Sequence, residues 1–210
     1  MSLSALVIGY GSIGKRHADI LISIDTVSNV IVLSDQSNLP YETISSLEEI
    51  PKVNPDYIII ASNTARHYQQ LAFLEENLFG KNIIVEKPLF DSVHEIEIKK
   101  NQVFVGYNLR FHPIMRLIKE KITDKKLWSI QVFCGSYLSD WRPGRDYRET
   151  SSATKETGGG VLLDLSHELD YVQWLTGTIT LEHVKSQKVS DLEIETDDIL
   201  LLSGKSEHCS

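Results

Sequence analysis

Six residues, Gly9-Tyr10-Gly11-Ser12-Ile13-Gly14, follow directly on the apolar run Ala5-Leu6-Val7-Ile8. Their types and spacing suit the binding of a pyrophosphate. Gly9 permits a tight turn, Gly11 keeps a Cβ away from the phosphates, and Gly14 lets the ensuing helix pack close on the strand. The free amides that open this helix, those of Ser12 and Ile13 among them, and the helix dipole would meet the anion. A second apolar run, Val30 to Ser34, ends at Asp35, about 20 residues beyond the glycines, where a carboxylate can accept hydrogen bonds from an adenosine ribose. Asp35 would also repel a 2′-phosphate. NAD is therefore the expected cofactor, and NADP stays open if Ser34 or a nearby Lys or Arg takes the phosphate. The same residues can also be read as a plain strand-to-helix turn with Asp35 in a following turn.

The elements that must position these groups alternate along the first half of the chain. A helix pattern (Ile13, His17, Ile20, Leu21) follows the glycines, and a short acidic helix is expected over Ser45 to Ile50 with Ser45 or Ser46 as its cap. Asp56 to Ala61 is a continuous apolar run of the kind that parallel sheets bury on both faces. A helix from His67 to Glu76, a strand Asn82 to Val85, a helix Ser92 to Lys99 and a strand Gln102 to Gly106 complete the series. Such alternation predicts a doubly wound parallel sheet, which binds ligands at the carboxyl ends of its strands. The loops there hold Ser62-Asn63-Thr64, Glu86-Lys87-Pro88 and Tyr107-Asn108.

From Asn108 the pattern changes to a helix Pro113 to Ile122, a strand Trp128 to Phe133, a long polar stretch, a helix Val161 to Leu175, and strands near Thr180 to Val189 and Asp198 to Leu202. The fold expected is α/β: a Rossmann domain over residues 1–107, then a shortened α+β domain over 108–210 with a mostly antiparallel sheet. That second domain would serve substrate binding and dimerisation.

Composition narrows the function. The 210 residues are 41% hydrophobic and 24% charged, as in ordinary globular proteins. A formal net charge of -8 argues against a nucleic-acid partner. No apolar stretch reaches the ~20 residues of a membrane helix, and Met1-Ser2-Leu3-Ser4 lacks the features of a secretory signal, so a cytoplasmic protein without membrane contact is expected. Cys134 and Cys209 offer neither a disulfide framework nor the spacing of a metal site.

Several motifs together resemble the Gfo/Idh/MocA family, the glucose-fructose oxidoreductases and inositol dehydrogenases. They are Gly9-x-Gly11-x-x-Gly14-x-x-His17, Ser62-Asn63-Thr64-x-x-His67, Glu86-Lys87-Pro88, Asn108-x-Arg110-x-x-Pro113, and Gly158-Gly159-Gly160 leading to Asp164, His167 and Asp170. The resemblance implies hydride transfer between NAD(P) and a hydroxyl or keto group of a sugar, cyclitol or sugar derivative. It implies cofactor contacts at Gly9, Gly11, Ser12, Ile13, Gly14, Asp35, Ser62, Asn63, His67 and Glu86. Lys87 would place positive charge at the reacting oxygen, and His167 would act as the base, aided by a carboxylate one helical turn away at Asp164 or Asp170. The family carries one more residue between that aspartate and the histidine, which puts the role of Asp164 in question.

The loop Ser139 to Arg148 holds three arginines and two aromatics on an acidic protein. With Arg110, the residues Arg142, Arg145 and Tyr147 are candidate contacts for an acidic or nucleotide-linked substrate. Mutual pairing of the loop's charges on the surface is the other reading. Family members run well beyond this chain's end, so the resemblance also implies that much of the second sheet is missing. A homo-oligomer through that sheet is expected. The alternatives to an oxidoreductase are a catalytically silent nucleotide-binding relative and, more distantly, an assembly protein without cofactor.

Overall fold

The computed structural model describes residues 2–209. The chain falls into two compact units, Met1–Gly106 and Tyr107–Ser210, one residue from the expected boundary.

The first unit is a six-stranded, all-parallel sheet of order β3-β2-β1-β4-β5-β6. Its strands are β1 (Leu3–Ile8), β2 (Val27–Leu33), β3 (Glu42–Ile44), β4 (Tyr57–Ile60), β5 (Asn82–Val85) and β6 (Gln102–Val105). Strands of period two send alternate side chains to opposite faces. Leu6, Ile8, Ile58, Ile60, Ile83 and Val85 pack against Leu71 and Leu74 of helix α3 (His67–Asn77). On the other face Val7, Val30, Val32 and Ile59 pack with Ala18 of α1 (Ser12–Leu21). Burial on both faces explains why β1 and β4 read as unbroken apolar runs. Ile8 pairs with Leu33 on one side and Ile60 on the other, so the loops after β1, β2 and β4 emerge side by side. The sheet order reverses at β1, the topological switch point where such sheets take their ligands.

The expected acidic helix is a single 3-10 turn, Leu47–Glu49, running into the one-turn α2 (Ile50–Val53). Ser46 caps it in a capping box with Glu49. The three-residue β3 had no sequence signal of its own.

The helix expected over Ser92 to Lys99 does not form. Its apolar residues, Val93, Ile96 and Ile98, are spaced three and then two apart among charged neighbours, too few and too irregular to give a helix an apolar stripe. The segment's last backbone donor and the one after it are claimed elsewhere: Glu75 Oε1 accepts the N–H of Lys99 at 2.8 Å and of Lys100 at 2.5 Å. Asn101 Nδ2 donates to Glu75 Oε2 at 2.9 Å and to the carbonyl of Leu78 at 3.2 Å, closing the end of α3. Burial pushes the Glu75 carboxyl up, but these N–H donors outweigh it and hold it below the ordinary carboxylate range.

The second unit holds α4 (Pro113–Ile122), α5 (Val161–Asp164), α6 (Ser166–Thr176) and an antiparallel pair, β7 (Ile179–Gln187) and β8 (Ile199–Ser206). His112 caps α4, its Nδ1 accepting the Ile114 N–H at 3.3 Å, and Pro113 occupies the first helical position. Two expectations need correction here. Trp128 to Phe133 is not a strand, because β7 and β8 pair only with each other and leave it no ladder. Leu127 alone makes a bridge, to Cys209, and Phe133 is 95% exposed. The helix expected over Val161 to Leu175 is broken at Leu165, whose backbone (φ -101°, ψ 30°) leaves the helical region. Asp197 ties down the start of α5, accepting from Val161 N–H through its carbonyl and from Leu162 N–H through its carboxylate. A new helix then starts at Ser166, a residue type that favours helix ends over interiors.

Replacing Glu75 by Ala should lower stability by about 2 kcal/mol at neutral pH, since three donors, one buried and two partly buried, lose their acceptor. A carboxyl whose folded pKa is depressed stabilises above its ordinary pKa and ceases to as pH falls through the folded value. The gap between wild type and Glu75→Gln in urea unfolding should therefore narrow as pH falls from neutral through the carboxylate range. A gap that does not change with pH would contradict the assignment.

Candidate functional site

The glycine turn in the first unit separates what the fold needs from what it does not. Gly9 has φ +92°, and a Cβ there would come within 2.9 Å of the Ser62 backbone. A Cβ on Gly14 would lie 2.0 Å from the Gly9 carbonyl oxygen. Both glycines are demanded by the approach of α1 to the sheet. Gly11 is different: its φ of -74° suits any residue, and a Cβ would meet nothing within 4 Å. Gly11 is also the N-cap of α1, with no side-chain cap and no acid in the first turn. The helix start thus presents amides and positive dipole to open space, and the smallest residue keeps that space clear. This cradle fits the pyrophosphate of a dinucleotide.

The neighbouring loops are tied to it. Gly9 N–H donates to the Leu33 carbonyl at 2.9 Å. Asp35 is exposed just past the end of β2. Gln36, which no sequence signal marked, donates through Nε2 to the Tyr10 carbonyl at 3.0 Å and through its backbone N–H to Ser34 Oγ at 3.1 Å. Ser62 lies beneath Gly9, its hydroxyl donating to Gln70 at 2.7 Å, and Asn63 is exposed before the turn Thr64–Arg66.

His67, expected to touch the cofactor, is only 1% exposed. Its Nε2 faces the Ser62 carbonyl at 3.1 Å and its Nδ1 the Pro88 carbonyl at 3.1 Å. It pins the loop after β4 to the loop that carries Lys87. The Glu86 carboxylate likewise turns inward, accepting from His17 Nε2 at 2.6 Å and from the Lys87 N–H at 3.3 Å. The Lys87–Pro88 peptide is cis.

In the second unit, Arg110 is paired within the protein. It grips Asp170 through Nε at 2.8 Å and a terminal nitrogen at 2.5 Å, and the Asp170 side chain is only 7% exposed. The break at Leu165 places Asp164 and His167 in different helices, so the single helical face expected for Asp164, His167 and Asp170 does not exist. Tyr107 packs edge-on to the His167 ring, centroids 5.7 Å apart.

Of the loop's three arginines, Arg148 is bound to Asp146, whose carboxyl it pulls down to about 2, and it also reaches Glu193 at 3.4 Å. The Tyr147 hydroxyl accepts the Glu193 N–H at 3.2 Å, which makes it a brace within the unit. Arg142 and Arg145 are exposed beside Trp141, around a depression too tight for a water molecule. A larger cavity, about 600 Å³, lies among Ile130, Cys134, Glu168, Val172, Leu181 and Leu202. No sequence motif marks it, since its walls mix apolar and polar residues that lie far apart in the chain.

Comparison with known proteins agrees with the order of these elements. The model of the GFO/IDH/MocA oxidoreductase family, NAD-binding Rossmann fold, matches residues 3–103, and that of the GFO/IDH/MocA C-terminal domain matches residues 115–206. The chain belongs to the Gfo/Idh/MocA family. YteT of Bacillus subtilis (strain 168) is 27% identical over 151 residues, covering 67% of this chain and 35% of that protein. Inositol 2-dehydrogenase of Rhizobium meliloti (strain 1021) is 23% identical over 190 residues, 81% of this chain and 54% of that protein. The chain thus spans between a third and about half of these curated relatives.

Among solved structures, the WlbA dehydrogenase from Bordetella pertussis, in complex with NADH and UDP-GlcNAcA, superposes with a TM-score of 0.76 at 17% identity, over 99% of this chain and 68% of that one. Myo-inositol 2-dehydrogenase from Lactobacillus plantarum gives a TM-score of 0.79 at 22% identity, over 99% and 67%. At such identities the likeness is one of fold. Among the described residues no helix is long and apolar enough to cross a membrane.

Within this Gfo/Idh/MocA chain, the three glycines should respond differently to the same methyl group. Gly14→Ala should cost about 3 kcal/mol, because backbone must move to admit it. Gly11→Ala should leave the melting temperature within about 2 °C of wild type. A comparable loss in both variants would show that Gly11 too is fixed by packing.

Proposed function

We propose that the chain binds NAD(H) on its glycine turn and takes part in hydride transfer between the nicotinamide and a hydroxyl or keto group of a sugar, cyclitol or sugar derivative. The observation that carries this reading is the uncapped start of α1 at the switch point of the sheet, with Gly11 holding open a space the fold itself does not use. Family membership supports the same reading.

Gly9, Gly11 and Gly14 shape the phosphate cradle, and the amides at Ser12 and Ile13 donate to it. Asp35 accepts from the adenosine ribose and disfavours a 2′-phosphate, so NAD is preferred over NADP. Ser62, Asn63 and Glu86 flank the same edge, with His67 as their support. The cofactor supplies hydride chemistry when bound. Lys87 stabilises the substrate oxygen as its charge changes, and His167 holds or releases the hydroxyl proton.

The substrate class draws support from what two relatives are named for, an inositol and a UDP-linked sugar acid. Arg142 and Arg145, exposed beside an aromatic, suit the acidic or nucleotide-linked member of that class. Arg110 and Tyr147, already engaged, organise the unit instead. A second reading, a nucleotide-binding relative without turnover, is favoured by the break between Asp164 and His167 and by the capture of Asp170 by Arg110.

Titration with NADH and NADPH, followed by nicotinamide fluorescence, should show saturable binding that prefers NADH, and Gly11→Asp should abolish it. Failure of wild type to bind either nucleotide would refute the reading. With a substrate found in a panel of inositols, sugars and UDP-sugars, Lys87→Ala and His167→Ala should each lower turnover about a hundredfold while NADH affinity stays within about threefold. NADH binding without turnover of any panel member would select the second reading.

A further inference from the structure

We propose that His17 and Glu86 form a strut that couples the cofactor cradle to Lys87, so that His17 is a positioning residue for both. This inference rests on the nucleotide-binding reading above. His17 lies on α1 six residues beyond the Gly11 cap, about 9 Å along the axis. Its Nε2–H donates to Glu86 Oε1 at 2.6 Å, and the two side chains are only 24% and 16% exposed.

The other carboxylate oxygen of Glu86 accepts the backbone N–H of Lys87 at 3.3 Å. The Glu86 N–H is itself fixed to the Ile60 carbonyl at 2.9 Å. Gly106 leaves room for this arrangement, since a Cβ there would approach Glu86 Oε2 to 3.2 Å. One carboxylate therefore joins the helix whose amides receive the phosphates to the residue that meets the substrate oxygen.

The charged groups facing this carboxylate are His17 from α1 and Lys87 from its own loop. Burial drives the carboxyl up, and the His17 hydrogen bond and charge, then Lys87, bring it below the ordinary carboxylate range. The carboxylate is thus charged at neutral pH. A half-buried charged hydrogen bond adds little to packing compared with apolar residues of the same volume. What it adds is direction: one oxygen takes His17 and the other the Lys87 N–H, and the two partners belong to different parts of the site. The consequence is reciprocal. A nucleotide that orders the start of α1 steadies the Lys87 loop, and a loosened Lys87 loop weakens the nucleotide.

The test compares wild type with His17→Ala and with His17→Gln, whose amide nitrogen falls where Nε2 stood. Amide hydrogen exchange is read over residues 86–89 without nucleotide, and NADH affinity by nicotinamide fluorescence. His17→Ala should exchange about tenfold faster at 86–89 with β1 and β4 unchanged, and bind NADH about tenfold more weakly, as expected for loss of one charged hydrogen bond. His17→Gln should recover both to within about threefold.

Unchanged exchange at 86–89, unchanged NADH affinity in His17→Ala, or no recovery in His17→Gln would each overturn the strut. Failure of wild type to bind NADH would bring down the nucleotide reading and the coupling with it. Equal binding by wild type and His17→Ala would bring down the coupling alone. Should His17→Ala not fold, Glu86→Gln keeps an acceptor in place while removing the charge, and weaker NADH binding by that variant is again the supporting result.

Discussion

The first unit depends on one close approach, that of α1 to the turn from which it springs. A helix can lie against the strand before it only where backbone meets backbone, and at Gly14 the margin is such that a single methyl group would sit on the Gly9 carbonyl. From this contact follow the direction of α1, the burial of Ala18 on the sheet and the aim of the helix start at the carboxyl edge. The parallel order on both sides of β1 then brings Ser34, Ala61 and Glu86 to the same edge without further instruction. Chemistry is collected there because the strands end there.

Much of this was legible in the sequence because the physics that decides it is local. The helix Pro113–Ile122 has a proline at its first position and a clear apolar stripe, and the strand Asn82–Val85 is a short apolar run between polar residues. Each carries its own evidence. Where the reading failed, the deciding partner lay elsewhere in the chain. Nothing in residues 92–99 announces that Glu75 will take the amides of Lys99 and Lys100, and nothing in Trp128 to Phe133 reveals that no strand will lie beside it. The break at Leu165 also depends on a remote residue, Asp197, which holds the start of α5.

The candidate site shows the same division. Gly9 and Gly14 were legible because the approach of a helix to its own turn makes strict demands on residue type. Arginines were not, since a guanidinium that meets a carboxylate of its own protein is chemically the same as one that waits for a substrate. Arg110 and Arg148 are of the first kind, and only three-dimensional neighbours tell them from Arg142 and Arg145. His67 poses a related problem: a histidine beside a binding loop serves equally as a contact or as a pin, and only the structure shows the two carbonyls at 3.1 Å that it holds.

The crossover without a helix leaves the two margins of the parallel sheet unlike each other. On the β2 side, Ile44 of β3 is buried and α2 closes over the core. On the β6 side, strand residues are at most half-buried, with Phe104 52% exposed. Resistance to local opening therefore falls across the sheet, greatest at β1 and least at β6. The Lys87 loop leaves the strand next to this weaker margin, while the glycine turn leaves the strongest. Nucleotide cradle and lysine thus stand on ground of unequal firmness, so that fluctuation at the site is concentrated on the lysine side and the phosphate side acts as its fixed reference.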